Sequence, residues 1–130
     1  MKTLLIVDDE RFMTHILTYH LRGARLNVIA AHNGQEALAI IKDHQIDLVV
    51  SDYQMPILDG FQMARQLRKD PATLHTPILM LTAQDHKLPV NDLEKTNIVH
   101  VLPKPFSGQE VLRQITKHLA SDVVHVQPVK

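Results

Sequence analysis

Five short apolar runs alternate with segments of helical periodicity along this chain of 130 residues. The runs occupy residues 3–7, 26–31, 46–51, 77–82 and 98–102. Most of them are rich in Leu, Ile and Val without polar alternation, which is typical of strands covered by helices on both faces. This repeated strand–helix alternation predicts an α/β fold with a doubly wound, five-stranded parallel sheet and helices on both of its faces.

Three of the predicted helices begin at residues that make good N-caps. Asn33 precedes the second helix, Asp59 the third and Ser107 the fifth, where Glu110 would complete a capping box. The fourth helix is shorter and spans about residues 89–97. The first helix has apolar residues at a spacing of three to four, namely Phe12, Ile16, Leu17, Tyr19 and Leu21.

The composition excludes several classes of protein. With 14 basic and 14 acidic residues the net charge is zero, which argues against nucleic-acid binding by this domain. The chain has no cysteine, so disulfides and thiolate metal sites are excluded. No apolar run approaches the ~20 residues of a membrane span, and the first strand leaves no room for a signal peptide. We therefore expect a cytoplasmic domain over residues 1–120, followed at 121–130 by a flexible C-terminal tail or the start of a linker.

Polar residues follow the predicted strands at their carboxyl ends. Asp8 and Asp9 follow the first strand, and Asp52 follows the third. Thr82 ends the fourth strand, and Lys104 lies just after the fifth. Ligands of an open parallel sheet bind in the crevice beyond the carboxyl ends of its strands. The sequence therefore predicts that carboxylates, a hydroxyl and an ammonium group converge at one edge of the sheet.

This set of groups has the chemistry of a phosphoryl-transfer site. Clustered carboxylates repel one another, and a hard divalent cation relieves that repulsion; oxygen ligands select Mg²⁺, or Mn²⁺, over zinc. Lys104 would then act as a second clamp on phosphate oxygens. The four glycines form no phosphate-binding loop, so the protein itself is the expected phosphoryl acceptor. Asp52 stands apart from the paired acids and is the candidate nucleophile.

Four motifs together identify a known family. They are Val-Asp-Asp-Glu at 7–10, Ser-Asp-Tyr-Gln-Met-Pro-Ile-Leu-Asp-Gly at 51–60, Leu-Thr-Ala at 81–83 and Lys-Pro-Phe at 104–106. In this order and spacing they resemble the receiver domain of two-component response regulators, of the kind found in chemotaxis regulators. The resemblance covers residues 1 to about 120 and implies a flavodoxin-like strand order of 2-1-3-4-5.

The resemblance implies a role for each acidic residue of the site. Asp52 would be the phosphoacceptor, receiving its phosphoryl group from a sensor histidine kinase or a histidine phosphotransfer protein. Asp9, Asp52 and the backbone carbonyl of Gln54 would bind Mg²⁺ directly, and Asp8 would act mainly through water. Such a domain is not an enzyme in the usual sense: it is a self-catalysed phosphoacceptor that can also dephosphorylate itself.

The resemblance also implies how the phosphoryl group is held and read. Lys104, followed by a cis bond to Pro105, would neutralise the phosphoryl oxygens. Thr82 would swing in to donate a hydrogen bond, and the backbone N–H of Ala83 is a further donor. Phosphorylation would then switch the surface of helix 4, strand 5 and helix 5 for binding of a downstream protein.

Two positions depart from the family pattern. Val101 stands three residues before Lys104, where many receivers carry a Tyr or Phe that changes position with the threonine. Asn97 precedes the last strand, where Gly is common; Asn tolerates the left-handed conformation, so a helix cap is expected there.

Alternative functions stay open at this point. The chain could be a receiver-fold binding module in which phosphorylation-dependent switching is weak or absent, as Val101 suggests. It could also be a small Mg²⁺ phosphatase, but such enzymes need a second acid two residues beyond the nucleophile, and that residue is Gln54. Asp8 and Asp9 could simply cap the first helix.

Overall fold

The computed structural model describes residues 1–83 and 90–119 of the chain. Within them it has five strands, four α-helices and one 3-10 helix. The strands are β1 (Lys2–Val7), β2 (Leu26–Ala31), β3 (Leu48–Asp52), β4 (Ile78–Ala83) and β5 (Ile98–Lys104). The helices are α1 (Arg11–Leu21), α2 (Gly34–Asp43), α3 (Gly60–Lys69), the 3-10 helix (Val90–Lys95) and α4 (Gly108–His118).

The five strands form one parallel sheet in the order β2-β1-β3-β4-β5. This confirms the predicted doubly wound α/β fold and its strand order. The direction in which successive strands are added reverses between β1 and β3. The chain first places β2 on one side of β1, and it then places β3, β4 and β5 in turn on the other side. Ligand crevices of such sheets lie at this reversal point, beyond the carboxyl ends of β1 and β3.

Both faces of the sheet are buried, as the lack of polar alternation in the strands predicted. On one face, Leu5 and Val7 of β1 pack with buried residues of α2 and α3. On the other face, Leu4 and Ile6 pack with buried residues of α1 and α4. No helix in the described part of the chain is long and apolar enough to span a membrane.

The predicted N-caps of three helices are confirmed. The side chains of Asn33 and Ser107 each accept a hydrogen bond from the backbone N–H three residues further on. Asp59 forms a complete capping box with Gln62 at the start of α3. The capping box predicted at α4 is only half present, because the carboxylate of Glu110 accepts from Arg113 and Gln114 instead.

One local expectation was confirmed and another was wrong. The short fourth helix is a 3-10 helix over Val90–Lys95, within the predicted range, although its predicted start at Pro89 lies outside the described residues, as does the tail at 121–130. Asn97 does not adopt the left-handed conformation, since Ile57 alone does so among the described non-glycine residues. Instead, the amide of Asn97 donates to two backbone carbonyls of the loop before β4, and this ties that loop to the start of β5.

Candidate functional site

The carboxyl edge of the sheet brings together the residues that the sequence placed there. Asp8 and Asp9 follow β1 directly, and Asp52 is the last residue of β3. Leu81 is the register partner of Asp52, so Thr82 lies one residue further along the neighbouring strand. Ala83 of β4 is in register with Lys104, the last residue of β5. The register of parallel strands therefore aligns four separate segments at a single edge.

Lys104 lies between two buried carboxylates. Its ammonium nitrogen Nζ is 3.2 Å from Oδ2 of Asp8 and 3.0 Å from Oδ1 of Asp52. The side chains of Asp8, Asp52 and Lys104 are 1%, 10% and 18% exposed, so water screens this cluster poorly. One cation thus holds two anions together in a region of low dielectric.

Burial and the charges of their neighbours shift the pKa values of Asp8, Asp52 and Lys104. Burial, followed by the charge of Asp8, raises the pKa of Asp52 to about 6, although Lys104 opposes that rise. Burial likewise raises the pKa of Asp8 above its usual value, against the N–H of Glu10 and the Lys104 ammonium. Burial opposes the charge on Lys104, but the hydrogen bond and charge of Asp52 raise its pKa above the ordinary value. The site thus has more negative charge than its one lysine fully compensates.

Three carboxylates of the site are close enough to share a cation. Oxygens of Asp8, Asp9 and Asp52 all lie within 4.8 Å of one another, and Asp9 is exposed while the other two are buried. This is the only such group of His, Asp and Glu in the part of the chain that the structure describes. An all-oxygen donor set of three clustered carboxylates fits a hard divalent cation such as Mg²⁺.

Gln54 lies beside the exposed carboxylate of this cluster. It lines an open cleft of about 410 Å³ together with Asp9, Met55, Pro56 and Asp59. The cleft leads from the loop after β3 to the carboxylate that is open to solvent. The cleft therefore makes the Asp9 side of the cluster accessible from solvent.

The backbone around Asp52 is held by close contacts. The hydroxyl of Ser51 donates to the carbonyl of Asp52 at 2.9 Å, and the N–H of Gly60 donates to the carbonyl of Tyr53 at 2.8 Å. A side chain on Gly60 would collide with the Asp52 carbonyl and with the sulfur of Met80. Glycine is needed there because the start of α3 packs directly against the end of β3.

Thr82 and the Lys104–Pro105 bond also match their predicted positions and geometry. Thr82 is buried at the end of β4, and its hydroxyl donates to the carbonyl of Ala83 at 3.3 Å. The Lys104–Pro105 peptide bond is cis, as the family resemblance implied.

Two contacts at this site were missed from the sequence. The N–H of Glu10 donates to Oδ1 of Asp8 at 2.9 Å, so Asp8 orients the turn that leads into α1. A ring nitrogen of His32 lies 3.3 Å from the carbonyl of Asp8. The available signal for His32 was its position directly after β2, at the same carboxyl edge as the acids. Neither aspartate is the N-cap of α1, because that residue is Glu10, whose own side chain makes no capping hydrogen bond.

A doubly wound sheet with three carboxylates and a lysine at its carboxyl edge defines a receiver-type signalling domain. The chain belongs to the family of response regulator receiver domains, whose family model matches residues 4–116. It is therefore a receiver domain of the two-component signalling systems. The structure supports this assignment because the motif residues meet at one site.

Curated relatives include two transcriptional regulators. The chain is 34% identical over 117 residues to the phosphate regulon transcriptional regulatory protein PhoB of Pseudomonas aeruginosa, covering 88% of this chain and 50% of that protein. It is 40% identical over 111 residues to the alkaline phosphatase synthesis regulator PhoP of Bacillus subtilis, covering 85% of this chain and 45% of that protein. The chain thus spans about half the length of these relatives.

Solved structures show the same fold. The chemotaxis response regulator CheY4 of Vibrio cholerae superposes with a TM-score of 0.83 at 29% identity, covering 92% of this chain and 99% of that one. The receiver domain of the sensor histidine kinase PA1611 of P. aeruginosa superposes with a TM-score of 0.79 at 23% identity, covering 90% of this chain and 96% of that one. That structure has a magnesium ion coordinated in its active-site cleft.

Proposed function

We propose that this domain, over residues 1–120, receives a phosphoryl group on Asp52 from a histidine kinase or a histidine phosphotransfer protein. The observation that carries the proposal is the contact of Asp52 with Lys104, at 3.0 Å, together with its closeness to the carboxylates of Asp8 and Asp9. A nucleophile in this position has a cation beside it and two further carboxylates that can hold a metal ion.

The transfer exchanges one bond to phosphorus for another. A carboxylate oxygen of Asp52 attacks the phosphorus of phosphohistidine, an O–P bond forms, and the N–P bond breaks. The electron pair of the broken bond returns to the imidazole nitrogen, which takes a proton from water. Mg²⁺ held by Asp9, Asp52 and the Gln54 carbonyl, with Asp8 acting through water, would neutralise charge on the phosphoryl oxygens.

The charge of the phosphoryl group would be stabilised by three residues, namely Lys104, Thr82 and Ala83. The phosphoryl group on Asp52 would carry about −2 charge at neutral pH in place of the single negative charge of the carboxylate, so the ammonium of Lys104 gains a stronger partner. Thr82 can exchange its 3.3 Å bond to the Ala83 carbonyl for a phosphoryl oxygen, since a bond of that length is weak. The N–H of Ala83 would be the second donor.

The test of this proposal is phosphorylation by a small donor. Incubation with acetyl phosphate and Mg²⁺ is expected to add the mass of one phosphoryl group, and peptide mapping should place it on Asp52. Chelation of divalent cations by EDTA should prevent labelling, because the carboxylates would then repel the incoming phosphoryl group. Unchanged labelling in EDTA would refute the role of the acid cluster as a metal site.

The output of the domain would be a change at β5 and the helices beside it. Val101 is half-buried in β5, in register with Met80, and it packs against the core that includes α2 and α3. Because no aromatic ring can change position there, movement of Thr82 would pass to β5 through packing alone. This same residue favours the second candidate function, a receiver-fold binding module without a phosphorylation-dependent switch.

Beryllofluoride, which mimics the phosphoryl group, separates the two functions. With Mg²⁺ and beryllofluoride, we expect amide NMR shifts to extend from Asp52 along β5 to Val99 and into α4. The oligomeric state or the binding of a downstream protein should change with them. Shifts confined to residues in contact with the mimic would instead favour the binding module.

A further inference from the structure

Ile57 occupies a strained turn in the loop between β3 and α3. Its φ is 74°, which makes it the one non-glycine with positive φ in the described part of the chain. The carbonyl of Pro56 accepts a hydrogen bond from the N–H of Leu58 at 2.8 Å, so Ile57 is the central residue of a γ-turn. A γ-turn with positive φ is rare and strained, and a β-branched residue is a poor choice for it.

Folding itself does not explain the choice of isoleucine at this turn. The side chain of Ile57 is 70% exposed, so it contributes little to the core. Glycine would adopt the same backbone conformation without steric cost. A strained residue that does not pack inside its own chain points to a contact made with another molecule.

The turn is held rigidly by its flanks. Met55, two residues before Ile57, is buried, and Asp59, two residues after it, caps α3. The N–H of Gly60 closes the loop by donating to the carbonyl of Tyr53 at 2.8 Å. Because both ends are fixed, the backbone at Ile57 is held in one conformation.

The turn lies beside the open cleft that reaches the acidic site. Pro56, the neighbour of Ile57, lines this cleft of about 410 Å³ together with Asp9. A phosphorylated protein that approaches along this cleft would lie next to the turn, whereas a small donor need not touch it. Burial of an aliphatic side chain of this size changes affinity by an order of magnitude or more.

We propose that Ile57 is a specificity-determining contact that the domain makes with an apolar side chain beside the phosphohistidine of its protein donor. The proposal rests on the phosphoacceptor function proposed above and names the chemistry by which the donor is recognised. The γ-turn places Ile57 next to the cleft, so the contact forms only with a donor that carries an apolar residue at the matching position.

The test compares a protein donor with a small one. Purified, radiolabelled histidine kinase cores encoded in the source genome are screened on the wild-type domain, and the fastest core becomes the protein donor. We expect Ile57→Gly to slow transfer from that core by about tenfold or more. Labelling by acetyl phosphate should be unchanged, and the melting temperature should not fall, because glycine relieves the strained backbone.

Two further variants separate recognition from a structural role. Ile57→Leu keeps an apolar side chain and should transfer within about twofold of wild type. Val99→Ala shortens another exposed aliphatic side chain, on β5, and should not affect transfer from the kinase.

The proposal would be overturned if the kinase transferred its phosphoryl group to wild type and to Ile57→Gly at the same rate. It would also be overturned if Ile57→Gly slowed labelling by the kinase and by acetyl phosphate equally, or if this variant had a lower melting temperature than wild type. Labelling of the wild type by acetyl phosphate, but by no kinase core and no histidine phosphotransfer protein, would also overturn it, while leaving the phosphoacceptor function intact. Failure of acetyl phosphate to label the wild type would refute the phosphoacceptor function itself.

Discussion

Asp52→Asn is expected to abolish labelling by acetyl phosphate and, at the same time, to stabilise the metal-free domain at pH 8 by about 2–3 kcal/mol. Labelling is lost because an amide is not a nucleophile towards phosphorus under these conditions. Stability rises because a carboxylate that is buried beside Asp8 no longer has to be held in its charged form. A residue that is needed for function but costs stability is a common feature of functional sites.

The gain in stability should depend on pH in a defined direction. The pKa of Asp52 is about 6 in the folded domain, against an ordinary 3.8, so the folded state binds more protons than the unfolded state between these values. The free energy of unfolding of the wild type therefore falls as pH rises through this window. Below about pH 4 the wild type and Asp52→Asn should be nearly equal in stability.

Urea unfolding at several pH values, in buffer with EDTA, measures this difference. Asp59→Asn is the matched control, because it makes the same chemical change at a nearby residue and asparagine is an equally good N-cap. The control should be labelled normally and should show no comparable pH-dependent gain. A less stable Asp52→Asn at pH 8 would contradict the electrostatic account of the site.

Lys104→Met is expected to have the opposite effect, a loss of about 2–4 kcal/mol in the free energy of unfolding at pH 8. Methionine retains much of the apolar stem of lysine, so the loss reports the charge rather than the packing. Without the ammonium at 3.2 and 3.0 Å, Asp8 and Asp52 are left as uncompensated buried anions. Their pKa values should rise further, since Lys104 is the group that lowers both.

The sign of the pH dependence again follows from the carboxylates. Raised pKa values mean that the folded variant takes up protons as pH falls, so the deficit of Lys104→Met should shrink between pH 8 and pH 5. Millimolar Mg²⁺ should also reduce the deficit, because a bound cation replaces part of the missing charge.

Lys2→Met provides the control for the loss of one lysine charge. Lys2 pairs with Asp47 at 3.9 Å, with side chains 37% and 22% exposed, and such a pair is worth at most about 1 kcal/mol. Thermal and urea unfolding of both variants side by side measure the difference. Equal losses in the two variants would show that the buried position of Lys104 has no special electrostatic role.

Much of the fold could be predicted because the sequence patterns that specify its strands and helix caps are local. The apolar runs could be located because strands covered on both faces have no polar positions. The caps at Asn33 and Asp59 could be located because each side chain bonds to a backbone N–H only three residues further on. The predictions failed where a regular local sequence pattern did not determine which residues are buried, because burial depends on tertiary packing. Phe12 and Tyr19 follow the apolar spacing of α1, yet they are 70% and 57% exposed, because the sheet covers only the face with Leu17 and Leu21.

The site was predictable to the extent that its residues follow strands. A parallel sheet aligns carboxyl ends at one edge, so Asp8, Asp9, Asp52 and Lys104 could be assigned to that edge from their positions alone. The contact of His32 with the Asp8 carbonyl was not predictable, because it depends on how the loop after β2 turns towards β1. Nor could the turn at Ile57 be predicted, since isoleucine disfavours the conformation that it adopts there.

The amino-acid sequence by itself determined the fold class, the edge of the sheet at which the polar groups gather, and the family, because each depends on periodicity or on short motifs. Only the tertiary structure decided which groups are buried together and at what distance. The raised pKa of Asp52 arises from burial and from a neighbour 44 residues earlier in the chain, and Lys104 reaches Asp8 across 96 residues. Such effects arise in three dimensions, because desolvation and Coulomb energy depend on surroundings and distance rather than on order along the chain.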